Sequence, residues 1–99
     1  MMDSVEVIAT NNFLTELLKT DSDWMEIAIR LAEKAYSENE VPVGSILVYK
    51  NSIIGKGYNQ TQRLKDPTAH AEILAITAAA ATLEDWRLKD STLYVTKEP

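Results

Sequence analysis

Asp66-Pro67-Thr68-Ala69-His70-Ala71-Glu72 is the stretch on which the reading of the fold turns. Pro67-Thr68 signals a helix start, because a proline's missing N–H is no loss in the first helical turn. An alanine-rich helix is predicted over residues 68 to about 82, with Ile73, Leu74 and Ile76 as its bulky apolar residues. Residues 78–81 are all alanine, so that end can pack closely against a neighbour. His70 and Glu72 stand two positions apart. Inside a regular helix such a pair points to nearly opposite sides. The two can share a site only if His70 lies where the chain enters the helix. There they also meet the positive end of the helix dipole, which favours hydroxide and thiolate over their neutral acids.

Upstream of this stretch, residues 43–48 are apolar on both alternating faces, as in a strand buried on both sides. Lys50-Asn51-Ser52 reads as a turn and residues 53–58 as a returning strand, a connection short enough for an antiparallel hairpin. Gly55 and Gly57 weaken that strand or let another backbone come close. Before the hairpin, Trp24, Ile27, Ala28, Leu31, Ala32 and Ala35 form an apolar helical stripe. Asp23 is the expected cap, with Glu26 at the capping-box position. Pro42 prevents that helix from continuing. Downstream, residues 91–96 alternate as a third strand, Leu93 and Val95 on one face and Thr92, Tyr94 and Thr96 on the other. The order helix, strand, strand, helix, strand implies an α/β layered fold. Residues 1–20 read as an N-terminal appendage, with Phe13, Leu14, Leu17 and Leu18 on one helical face and Asn12 as a cap. Residues 21–99 read as the folded portion.

Composition narrows the function. A chain of 99 residues holds one small domain. Its 45% apolar and 25% charged residues are ordinary for a globular protein. A net charge of −5 argues against a broad phosphate-binding surface, though a local basic patch is compatible with it. There are no cysteines, hence no disulfide framework and no thiolate ligand. No secretory signal and no apolar run of about 20 residues is visible, so a cytoplasmic protein with no membrane partner is expected.

A lone histidine is more often a surface or core residue than a ligand, and a His-x-Glu match alone recurs by chance. His70 gains weight as the only histidine, placed just behind a helix-start signal and two residues before a carboxylate. Glu40-Val41-Pro42-Val43-Gly44, Gly57-Tyr58-Asn59, the 66–72 stretch, and Thr92-Leu93-Tyr94-Val95-Thr96 with Glu98-Pro99 then occur in one order and spacing. On these motifs residues from about 24 to 99 resemble the cytidine-deaminase-like (CMP/dCMP-type) zinc deaminases, and within them the tRNA-specific adenosine deaminases of bacteria.

The resemblance implies a sheet between helices, of which this chain holds the N-terminal part. It implies His70 as a nitrogen ligand of Zn2+ and Glu72 as the catalytic proton carrier. Asn59 would hydrogen-bond the extruded base, Val43 would line its pocket, and the Ala71 amide would support the reacting group. The implied reaction is hydrolytic deamination of adenosine to inosine at the tRNA wobble position. The implied partners are the tRNA anticodon loop and a second copy of the protein. The family's two cysteine ligands are expected directly after Pro99, so the chain is expected to be a portion of a deaminase domain and inactive alone. Lys97 stands where the family usually has an apolar residue. The third strand is expected to leave an exposed edge, with poor solubility as its consequence. Two alternatives stand beside this reading: a deaminase of free bases or nucleotides of cytosine or guanine type, and a non-catalytic remnant serving as an interaction module.

Overall fold

The computed structural model describes residues 19–96. The helical face expected over Phe13 to Leu18 lies outside them, as do Lys97, Glu98 and Pro99. Within them the elements run α1 (Asp21–Ser37), β1 (Gly44–Tyr49), β2 (Ser52–Tyr58), α2 (Ala71–Leu83) and β3 (Thr92–Val95). This is the expected order, and the fold is α/β.

The three strands form one antiparallel sheet in the order β2-β1-β3. Tyr49 pairs with Ser52, so the hairpin loop is Lys50-Asn51. Both residues take left-handed conformations, with φ of 49° and 59°. Two such residues make the turn whose twist matches that of the strands. The register slips between Leu47 and Val48, which pair with Gly55 and Ile53 and leave Ile54 as the extra residue of a bulge.

The helices cover opposite faces of the sheet. On one face Trp24 of α1 joins Ile46, Val48 and Tyr94 in the core, with Met25, Ile27 and Leu31 packed around them. Trp24, Ala28, Ala32 and Ala35 are the buried positions of α1, as the stripe predicts. On the other face, α2 lies directly on the glycines of β2. A Cβ on Gly55 would sit 2.1 Å from the Ala75 carbonyl oxygen, and one on Gly57 would sit 2.6 Å from that of Ala71. The buried positions of α2 are Ala71, Ala75 and Ala79, one per turn. Small residues on both elements thus bring α2 against the sheet, which fixes where its N-terminus falls.

Two helix starts differ from the expected ones. Thr20, not Asp23, caps α1: its hydroxyl accepts from the Asp23 N–H at 3.2 Å, and the Asp23 carboxylate accepts from the Thr20 N–H at 2.9 Å. The capping box therefore lies three residues earlier, pairing Thr20 with Asp23 instead of Asp23 with Glu26. The second helix begins at Ala71, not at residue 68. The Asp66 carboxylate holds Thr68 in a side-chain turn that competes with helix, accepting from its N–H at 2.9 Å and its hydroxyl at 2.7 Å. On β3 the buried face is Thr92 and Tyr94, while Leu93 is half-buried and Val95 exposed. Tyr94 satisfies its hydroxyl by donating to Asp21 Oδ1 at 2.6 Å, joining β3 to the first turn of α1.

Candidate active site

The site is assembled where β1 begins, β2 ends and α2 begins. The Asn59 N–H donates to the Val43 carbonyl at 3.1 Å, joining the segment before β1 to the segment after β2. Asn59 is buried, and its Oδ1 accepts the Ala71 N–H at 2.8 Å. That N–H is one of the four that a helix leaves without an internal partner. A side chain twelve residues away in sequence therefore does the work of a cap. The residue at the N-cap position itself is His70, in extended conformation (φ −80°, ψ 149°), and its side chain makes no capping hydrogen bond. Its imidazole is exposed and not used to hold the helix. Glu72 lies in the first turn and is half-buried.

This is the placement that the two-residue spacing demands: His70 is the last residue before the helix and Glu72 is within its first turn. The helix dipole adds partial positive charge at that point. The Asp66 carboxyl, at the approach to the helix, is held below the usual carboxylate range by its bonds from the Thr68 hydroxyl and amide. Val43 is buried immediately ahead of β1, and its backbone carbonyl engages Asn59. Ala71 is fully buried, and its amide, the donor expected to support a reacting group, is engaged by Asn59.

The segment between Asn59 and His70 is a closed loop. The Gln60 N–H donates to the Ala69 carbonyl at 2.9 Å across its mouth, and the Asp66 N–H to the Thr61 carbonyl at 3.0 Å within it. A residue that sequence reasoning did not single out holds its far side. Glu40 is a buried carboxylate whose Oε1 accepts the Gln62 N–H at 3.1 Å and whose Oε2 accepts the Arg63 N–H at 2.7 Å. Its membership of the Glu40-Val41-Pro42-Val43-Gly44 motif was the available signal. Behind the loop, Tyr58 donates to the Glu38 carboxylate at 3.2 and 3.3 Å, and burial together with the Glu38 charge pushes its phenol up.

Among the described residues no three His, Cys, Asp or Glu side chains gather as a metal-holding group. His70 offers one donor, whereas a catalytic zinc centre takes three from the protein and keeps a fourth position for water. The described residues therefore do not by themselves close a zinc site. They place an imidazole at the last position before the helix and a carboxylate in its first turn.

Residues 18–99 match the family described as the cytidine and deoxycytidylate deaminase zinc-binding region, and the chain belongs to that family. Among named relatives, it is 47% identical over 79 residues to the tRNA-specific adenosine deaminase of Buchnera aphidicola subsp. Schizaphis graminum, covering 80% of this chain and 52% of that protein. It is 47% identical over 76 residues to the enzyme of the same name from Aquifex aeolicus, covering 77% of this chain and 50% of that one. The chain thus spans about half the length of these relatives. A structure from a study of A-to-I editing by tRNA:A34 deaminases at the wobble position superposes with a TM-score of 0.74 at 42% identity, over 79% of this chain and 60% of that one. Guanine deaminase from Bacillus subtilis superposes with a TM-score of 0.75 at 32% identity, over 82% of this chain and 52% of that one.

Proposed function

We propose that this chain is the N-terminal portion of a hydrolytic deaminase that converts adenosine to inosine at the tRNA wobble position. The observation that carries the reading is His70 at the N-cap and Glu72 in the first turn of α2, in a chain 47% identical to named tRNA-specific adenosine deaminases. Residues 21–99 would belong to the deaminase domain and residues 1–20 would be an appendage.

The reaction replaces the C6 amino group of adenine by oxygen from water and releases ammonia. It needs a group that carries one proton from the attacking water to N1 of the ring, and then a second, from the new C6 hydroxyl, to the departing amine. Glu72 is that group in this reading. A zinc ion, when bound, supplies a water of lowered pKa. His70 is its one donor among the described residues, so the remaining ligands, cysteines in this family's pattern, would lie outside residues 19–96. Asn59 has committed Oδ1 to the Ala71 amide, which leaves its Nδ2 as the donor toward a base. Val43, buried next to it, would wall the pocket.

An anticodon loop is single-stranded, so its bases splay out at low cost. The cytoplasm is where this substrate would be met. A homodimer is part of the reading: Ile73 and Ile76 are 44% and 39% exposed on α2, a surface that a second copy could cover.

The likeness to guanine deaminase supports a second reading, a free-base enzyme. The test is to supply the protein carrying these residues with an anticodon stem-loop bearing adenosine at the wobble position, and separately with guanine and cytosine. Inosine in the stem-loop with the free bases untouched supports the tRNA reading. Ammonia from a free base alone overturns it.

A further inference from the structure

Glu40 is a buried carboxylate beside the loop that carries Asn59 and His70. Its carboxylate is 4% exposed, and each oxygen takes a backbone N–H of the loop between Asn59 and His70. A carboxylate is not buried without return, since desolvating it costs several kcal/mol unless its lone pairs are satisfied. Charge-assisted bonds to backbone amides are among the stronger hydrogen bonds. The segment they restrain has no regular secondary structure; it carries only turns. Gln62 and Arg63 sit at its far side, while its two ends carry the groups assigned to chemistry.

The geometry points to Glu40 as a positioning residue for the deamination site. It acts through the loop by holding Gln62 and Arg63, so that the Gln60–Ala69 bond stays closed and Asn59 stays bonded to Ala71. The Glu40 carboxylate bonds the Gln62 and Arg63 amides, not His70 or Glu72, and no step of the reaction uses its proton. Its effect on the site is to limit how far the Asn59 amide and the His70 imidazole move relative to one another. The inference deepens the deaminase reading and rests on it for the word deamination. The restraint itself does not depend on the substrate.

Its neighbours favour a mechanical role over simple packing. The Glu40 N–H is bound to the Ala35 carbonyl at 2.9 Å, which fixes the carboxylate's origin to the last turn of α1. The loop is thereby tied to a helix on the opposite face of the sheet from α2. Residues 41–43 continue from this anchor to Val43, whose carbonyl holds the Asn59 N–H. One short segment thus grips the loop at two points, by side chain at its far side and by backbone at its start.

The test compares wild type, Glu40→Gln and Glu40→Asp in the protein that carries these residues together with the remaining zinc ligands. Glu40→Gln keeps the volume but turns one acceptor into a donor facing an N–H. Glu40→Asp keeps both acceptors on a shorter arm. Amide hydrogen exchange is read at Ala71, Gln62 and Arg63 against amides of β1 as the measure of global stability. In Glu40→Gln the Ala71 amide is expected to exchange about tenfold or more faster relative to β1, with partial recovery in Glu40→Asp. If Ala71 protection falls only in parallel with β1, or does not fall, Glu40 is a packing residue and the inference is overturned. Activity on the stem-loop gives a second arm: kcat falls about tenfold in Glu40→Gln with KM changed less than about threefold. A wild-type protein with no activity on any tRNA would remove the functional reading, and the exchange comparison would still decide whether Glu40 controls the Asn59–Ala71 bond.

Discussion

Asn59 accepts the Ala71 N–H at one end of its amide and is proposed to meet a base at the other, and substitution separates the two. Asn59→Ala removes the oxygen that accepts the Ala71 N–H at 2.8 Å. Asn59 is 5% exposed, so water has little room to replace it. A buried amide left unpaired costs about 1–3 kcal/mol. Losing a helix cap costs about 0.5–2 kcal/mol, a second view of the same bond. The expected loss is therefore about 2 kcal/mol. In a domain of this size 1 kcal/mol moves Tm by about 4–8 °C, so Asn59→Ala should melt about 8–16 °C below wild type. Asn59→Asp keeps the acceptor and adds negative charge at the N-terminus of α2, where it gains about 0.3–1 kcal/mol to set against burial. It lacks Nδ2, so it should remain folded yet fail to turn over a base. Thermal unfolding followed by circular dichroism measures all three proteins. Asn59→Ala melting within about 2 °C of wild type would refute the capping argument.

Gly55→Ala should lower stability by about 3 kcal/mol or more, since its Cβ would lie 2.1 Å from the Ala75 carbonyl oxygen and must push α2 off the sheet; an unchanged urea midpoint would contradict the close approach. Ser45→Ala should raise stability by about 1 kcal/mol, because the Ser45 hydroxyl is fully buried and has no hydrogen-bond partner among the described residues; a clear loss in the urea midpoint would show that the hydroxyl is in use. The Asp66 carboxyl is lowered from 3.8 by the Thr68 hydroxyl and amide, so its contribution is present above pH 3.8 and is lost as pH falls through the lowered value. An NMR titration of the Thr68 amide should accordingly show its midpoint below 3.8, and a midpoint at or above it would count against the turn.

Much of the fold is legible in local pattern. The α1 stripe, the hairpin and the alternation of β3 follow from periods of 3.6 and 2 along the chain. Gly55 and Gly57 signal a weakened strand or a close backbone approach, and the structure shows the approach, with α2 as the neighbour and Ala71, Ala75 and Ala79 as the residues that allow it. Helix starts were harder. Pro67-Thr68 reads as a start, but Asp66 diverts it into a side-chain turn and the helix waits for Ala71. The face of β3 was ambiguous, since Leu93 and Val95 are more apolar than Thr92 and Tyr94, yet Tyr94 is the residue that reaches both the core and Asp21. At the site, the spacing of His70 and Glu72 announces a helix mouth without help from the coordinates. The roles of Asn59 and Glu40 do not, because each is a side chain holding backbone amides remote in sequence. No periodicity encodes such a contact; only the folded loop reveals it.

In the proposed reaction Glu72, a carboxylate in the first turn of α2, moves the proton during adenosine deamination. The most direct measurement is inosine formation in an anticodon stem-loop by the protein that carries these residues, wild type against Glu72→Gln. Conversion by the wild type is expected, with a rate about 100-fold or more lower in Glu72→Gln and its melting temperature kept. A Glu72→Gln protein that makes inosine as fast as wild type would contradict that role.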